Sequence, residues 1–193
     1  MIREDPLRRG LLFAGTETGV YVSFDDGERW QSLKRNLPVA PIHDLKIKGN
    51  DLVAGTHGRS FWILDNLEVL RQIDDDVNKS TFHLFKPATT HRVAPEMGVA
   101  RTYGPGNKYM LGLGIAARYH EGKTDQGEET LVFLDSGQNP PDGVVVTYYL
   151  NEKPESGITL EFYDGEGDLI RKFSSDSPDD RLRAESGMNR FTW

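Results

Sequence analysis

The chain has 193 residues, 37% of them hydrophobic and 27% charged, a net charge of −7 and no cysteine. Thiol catalysis, disulfides and cysteine-held zinc are therefore excluded, and an acidic chain without a basic stripe repels the phosphates of nucleic acid. No apolar run approaches the ~18 residues that a membrane span needs, and Met1 to Pro6 holds no apolar signal core.

Leu11 to Thr16 is an apolar run of the kind that lines a buried strand. Glu17-Thr18-Gly19 turns the chain, Val20 to Phe24 is a second strand, and Asp25-Asp26-Gly27 turns it again. Arg29 to Leu33 returns as a third strand. Ile42 to Ile47 alternates strictly and is expected as the outer strand of the same sheet. Leu12-Phe13-Ala14-Gly15-Thr16 then recurs forty positions on as Leu52-Val53-Ala54-Gly55-Thr56. The same shift sets Tyr21 on Phe61, Val22 on Trp62, Phe24 on Leu64 and Asp25 on Asp65. A repeat near ~40 residues with several short strands per unit is the pattern of β-propeller blades.

The octapeptide Ser23-Phe24-Asp25-Asp26-Gly27-Glu28-Arg29-Trp30 packs three carboxylates, a hydroxyl and an indole between two strands. Each has a mechanical use. Ser23 and Asp25 accept backbone N–H groups, Gly27 takes a conformation closed to a Cβ, and Trp30 buries its ring. An acid–base pair at Asp25 and Asp26 would need desolvation and a shared direction, which adjacent turn residues lack. The expected role is architectural.

SFDDGERW resembles an Asp-box, the marker of sialidase-like or BNR-repeat β-propellers, which occurs in sortilin-type receptors and several glycoside hydrolases. The run from Arg3 to Asn66 is similar to the last blades of large bacterial propellers labelled "glycosyl hydrolase" or sortilin-like. The resemblance covers residues 1–75 well and continues more loosely beyond them. In the second copy the box is degenerate, with Ile63-Leu64-Asp65-Asn66 and no Gly or Trp at the box spacing. The resemblance implies an extracytoplasmic protein, periplasmic or secreted. A glycosidase of this type gathers acids from several blades, and one and a half blades cannot supply them; Glu17, Arg59 and Arg71 are possible contributors that nothing singles out.

His57-Gly58-Arg59 takes the place of Glu17-Thr18-Gly19 at a turn of the kind that clusters near a propeller's channel. Glu17, His57 and Arg59 are thus the candidate ligand-binding residues, toward a sugar hydroxyl or a carboxylate. The competing reading has Arg59 paired with an acid and His57 capping the turn. Trp62 is expected in the core, its repeat counterpart being the aliphatic Val22.

Asp65-Asn66 followed by Leu67, Leu70 and Ile73 reads as a short capped helix, Asp74-Asp75-Asp76 as a solvated break, and Thr81 to Pro87 as a strand. Beyond it, strands are expected at Tyr109 to Ala116, Thr130 to Leu134, Val144 to Leu150, Ile158 to Asp164, Leu169 to Phe173 and Arg190 to Trp193. Asp164-Gly165-Glu166-Gly167 makes a hairpin turn, and Lys123 to Glu129 a charged loop. Gly104-Pro105-Gly106 and Gly112-Leu113-Gly114 match no phosphate-loop spacing. His83, His91 and His120 stand singly, so no metal or cofactor is expected.

The reading is all-β: a partial β-propeller of about one and a half blades in residues 1–75, a linker in 76–87, and an immunoglobulin-like β-sandwich in 88–193. Both ends are expected to be cut from a longer protein, the sandwich among them, since Gly187 to Trp193 alternates to its last residue. The sandwich half is similar to modules that follow such propellers, and Asn139-Pro140-Pro141-Asp142-Gly143 is part of that likeness. Three functions compete: the non-catalytic end of a glycan-acting enzyme, a sortilin-like scaffold for peptide or protein ligands, and a carbohydrate-binding module. The last would need an exposed aromatic strip from Tyr148, Tyr149 and Tyr163. A lone blade leaves apolar faces bare, so self-association, or packing of residues 1–75 on the sandwich, is also expected.

Overall fold

The computed structural model describes residues 1–90, 108–112, 115–123, 127, 129–134, 137, 140, 141, 143–180 and 182–193. His91, Gly104 to Gly106, Leu113, Gly114, Asn139 and Asp142 lie outside them, as does most of the 124–128 stretch. The protein is all-β, built of small antiparallel sheets with two five-residue helices and no closed barrel among the described residues. Contacts group 1–71 with 95–140 as one compact unit and 72–94 with 141–193 as another. That grouping is not collinear with the sequence.

In the first unit, β1 (Ile2–Glu4), β2 (Leu12–Thr16), β3 (Gly19–Ser23) and β4 (Gln31–Ser32) form a meander in chain order. A second meander follows from β5 (Ile42–Lys48), β6 (Asp51–Thr56) and β7 (Phe61–Leu64). The strand at Ile42 thus opens the second sheet rather than closing the first, whose remaining strand comes from residues 2–4. Alternation in Ile42 to Ile47 reveals a buried face but not which neighbour takes its hydrogen bonds. The two-residue turn Gly49-Asn50, with Gly49 at φ 61°, decides it by folding β5 straight onto β6.

The two meanders pack face to face. Phe13, Val20 and Val22 of the first meet Ile42, Leu45, Leu52 and Ala54 of the second in one buried cluster with Leu11, Leu37 and Leu67. Burying a side chain such as Phe13 or Leu11 completely contributes about 1.5–3 kcal/mol each. The sheets approach this closely because Gly15 has no side chain: a Cβ there would stand 2.7 Å from Ile42 Cγ2.

Register departs from the forty-residue shift at one place. Two residues, Glu17 and Thr18, join Thr16 to Gly19, whereas three join Thr56 to Ser60, with the Thr56 N–H donating to the Ser60 carbonyl. Ala14 therefore pairs with Tyr21, but Ala54 pairs with Trp62. The counterpart of Trp62 is Tyr21, not Val22; the counterpart of Val22 is Ile63. Trp62 still packs, half-buried, on the cluster between the sheets.

α1 (Glu68–Gln72) follows, then α2 (Asp75–Lys79) and β8 (Phe82–Leu84). The triple aspartate is not a mere solvated break: Asp74 caps α2, its Oδ1 accepting the N–H groups of Asp76 and Val77 at 3.0 and 2.9 Å. β9 (Lys108–Gly112), β10 (Ile115–Lys123) and β11 (Glu129–Phe133) make a third sheet of the first unit. The strand expected from Tyr109 to Ala116 is in fact the two arms of the β9–β10 hairpin, and the charged Lys123–Glu129 stretch joins β10 to β11.

The second unit adds β12 (Val145–Leu150), β13 (Thr159–Tyr163), β14 (Leu169–Ser174) and β15 (Gly187–Thr192). Its main sheet runs β15-β12-β8, and the β13–β14 hairpin lays Leu160, Phe162 and Phe173 on Val146, Tyr148, Leu150 and Phe191. Asp164 builds the hairpin turn by accepting the Asp168 N–H and, less strongly, the Glu166 N–H, which hold its carboxyl below the usual range. The Tyr148 hydroxyl donates to the Arg183 carbonyl, and burial pushes its phenol up to about 12. Asn189, also buried, ties β15 back to the preceding loop through the Glu185 main chain.

Candidate functional site

The acidic octapeptide links β3 to β4. Ser23 ends β3 with no exposed surface. Its hydroxyl donates to Asp25 Oδ1 at 2.8 Å and accepts the Gly27 N–H at 2.9 Å. Asp25 Oδ1 also accepts the Arg29 N–H at 2.9 Å, and Oδ2 takes the Arg29 Nε at 2.8 Å. The Arg29 side chain, then its N–H and the Ser23 hydroxyl, hold the Asp25 carboxyl down at about 2. The backbone passes through φ 58° at Asp26 and 93° at Gly27. Trp30 closes the turn by donating its indole N–H to the Gly27 carbonyl at 3.0 Å. A final bond ties the turn to the strand before it: the Asp26 N–H donates to the Gly10 carbonyl at 3.0 Å.

A general acid must hold a proton near neutral pH, and a general base needs a free lone pair aimed at substrate. Asp25 does neither, being ionised to about pH 2 with both oxygens engaged. Asp26 is exposed at the tip of the turn.

Glu17, His57 and Arg59 all sit on hairpin turns, Glu17 between β2 and β3, His57 and Arg59 between β6 and β7. The two turns lie at the same end of the stacked sheets, because Gly15 meets Ile42 and Ile42 pairs with Thr56. All three residues are exposed. The His57 N–H donates to the Pro41 carbonyl at 2.8 Å, and its ring stands 4.9 Å from that of His43 on β5, tilted by 42°. The Arg59 carbonyl accepts the Trp62 indole N–H at 2.9 Å. His43 joined this group unnoticed in the sequence, for it lies at a register shift of β5 between Ile42 and Asp44.

Arg71 has a different position. Its side chain is 6% exposed and its guanidinium meets the fully buried Asp5, with Nη2 2.9 Å from Oδ2. Arg71 Nη1 also donates to Asn50 Oδ1 at 2.6 Å and Nη2 to the Gly49 carbonyl at 3.2 Å. Asp5 Oδ1 accepts the N–H groups of Leu7 and Arg8. Burial acts to raise the Asp5 carboxyl, but Arg71 and these N–H groups outweigh it and leave it lowered. The pair clips the β1–β2 loop, the β5–β6 turn and α1 together. The signal available in sequence was only an Arg in the last turn of a predicted helix.

The tyrosines of the second unit form no exposed strip. Tyr148 is buried in the core, Tyr149 points to the other face of β12, and Tyr163 stands on β13 with its hydroxyl on Glu161. Among the described residues, no three His, Asp or Glu side chains gather to hold a metal. No helix among them is long and apolar enough to cross a membrane. No family model, curated protein or solved structure matches the chain.

Proposed function

We infer that this chain is a non-catalytic scaffold: consecutive blades of an Asp-box propeller with an accessory immunoglobulin-like sandwich, belonging to an extracytoplasmic protein related to glycosyl hydrolases. One observation carries this reading. The carboxylate best placed by its motif to do acid–base chemistry, Asp25, is spent entirely on holding a β-turn. The face-to-face packing of two meanders whose central hairpins repeat at forty residues supports the propeller part. The two small sheets that share the second unit's core support the sandwich part.

The purified chain is expected to hydrolyse no aryl-glycoside. Turnover that disappears in Glu17→Gln would overturn the reading. A second reading, a sortilin-like scaffold that captures peptide or protein ligands, is favoured by the exposed His57, whose ring lies beside that of His43, and by the exposed Arg59 on the same turn. It predicts that Arg59→Ala weakens capture of an acidic peptide while leaving the melting temperature in place.

A further inference from the structure

We propose that the outer face of the β5-β6-β7 sheet docks a second copy of this chain, which presents the outer face of its own β1–β4 sheet. This inference rests on the packing of the two sheets and stands whether or not they belong to a propeller.

Within the chain, the first sheet receives the second on a patch made by two cross-strand pairs: Phe13 with Val22, and Gly15 with Val20. Phe13, Val20 and Val22 are each at most 4% exposed. The second sheet repeats this patch on its far side. Val53 pairs with Ile63 there, and Gly55 with Phe61. The register and residue classes match pair for pair, down to the glycine. Yet Phe61 is 76% exposed and Ile63 56% exposed. Phe61 leans its ring over its own glycine, Cε1 lying 3.5 Å from where a Gly55 Cβ would be, and no other sheet among the described residues enters that space. At the equivalent Gly15, Ile42 and Leu45 from the packed sheet occupy that space.

The incoming half of the contact is also present twice. The second sheet docks with Leu45, Ala54 and Trp62, which lie side by side across three strands. The same row on the first sheet is Ile2, Ala14 and Tyr21. Ile2 is 55% exposed there, and Ala14 and Tyr21 are half-buried. One chain thus carries a receiving patch on one outer face and a docking row on the other. The mating between copies that follows is heterologous, head to tail, and either closes as a ring or extends.

Sedimentation of the full chain over a wide range of concentration tests this. The weight-average mass is expected to rise with concentration. Phe61→Lys and, separately, Ile2→Lys should each weaken association by about thirtyfold, the effect of losing a hot-spot residue. Both side chains are exposed in the single chain, so far-ultraviolet dichroism should show the fold unchanged. A head-to-tail contact adds a stricter requirement. Phe61→Lys keeps its docking row and Ile2→Lys keeps its receiving patch, so an equal mixture should form dimers and nothing larger. A mass that stays monomeric at every concentration, association indifferent to both substitutions, or a mixture that fails to pair would each overturn the proposal.

Discussion

Ser23→Ala is the most direct probe of the octapeptide. The hydroxyl is fully buried, donates to the Asp25 carboxylate at 2.8 Å and accepts the Gly27 N–H at 2.9 Å. Losing the first bond removes a charge-assisted interaction of about 1.5–3 kcal/mol. Losing the second leaves a turn N–H without its partner, which adds roughly 1 kcal/mol or more. The void left by one oxygen is small by comparison. A net loss of about 2–4 kcal/mol is expected, a large share of the stability of an ordinary domain. Urea unfolding followed by tryptophan emission is a suitable assay, since Trp30 is bonded into this turn. With a slope of ~1–3 kcal/mol/M, the midpoint should fall by about 1–2 M. Amide exchange gives the local readout, with Gly27 and Arg29 losing protection first. A change below about 0.5 kcal/mol, with Gly27 still protected, would refute the idea that the hydroxyl holds the turn.

The Asp25 carboxyl is lowered to about 2 by Arg29 and Ser23, so its contribution is present above an unfolded value near 3.8 and is lost as pH falls from there toward 2. Asp25→Asn should therefore remove part of the acid limb of stability while behaving as a destabilised protein at neutral pH, as paired denaturation curves at several acid pH values would show. Arg71→Met strands the buried Asp5 carboxylate and should cost about 3–5 kcal/mol, with partial recovery in the Asp5→Asn/Arg71→Met double variant, measured by urea midpoint. Gly15→Ala puts a Cβ 2.7 Å from Ile42 Cγ2 and should cost about 1–3 kcal/mol by pushing the sheets apart; Ile42→Ala in that background should recover part of the loss, and an unchanged melting temperature for Gly15→Ala alone would contradict the packing described.

How far the molecule is readable from its residues depends on the range of the physics involved. The octapeptide turn was legible because its parts lie within eight residues, and a Ser, an Asp and a Gly at those spacings have few other ways to satisfy the backbone. The β13 strand was legible from period-two alternation, β12 from its run of β-branched and aromatic residues, and the Asp164 turn from its glycines. The Asp74 cap was missed because three acids in a row look alike until one accepts the N–H groups of the next turn. The single strand drawn from Tyr109 to Ala116 was wrong because continuous hydrophobicity does not mark where a hairpin reverses.

Composition and local pattern by themselves determined an all-β chain without cysteine, with most of its strands, its main turns and a forty-residue likeness between two hairpins. Tertiary structure alone decided which sheet owns the strand at Ile42, that Trp62 answers to Tyr21, and that Arg71 closes on Asp5 across sixty-six residues. The physical reason is the same for all three. Alternation and charge record only that a face is buried or a group needs a partner, while the identity of the partner depends on turn length and on how closely two sheets can approach.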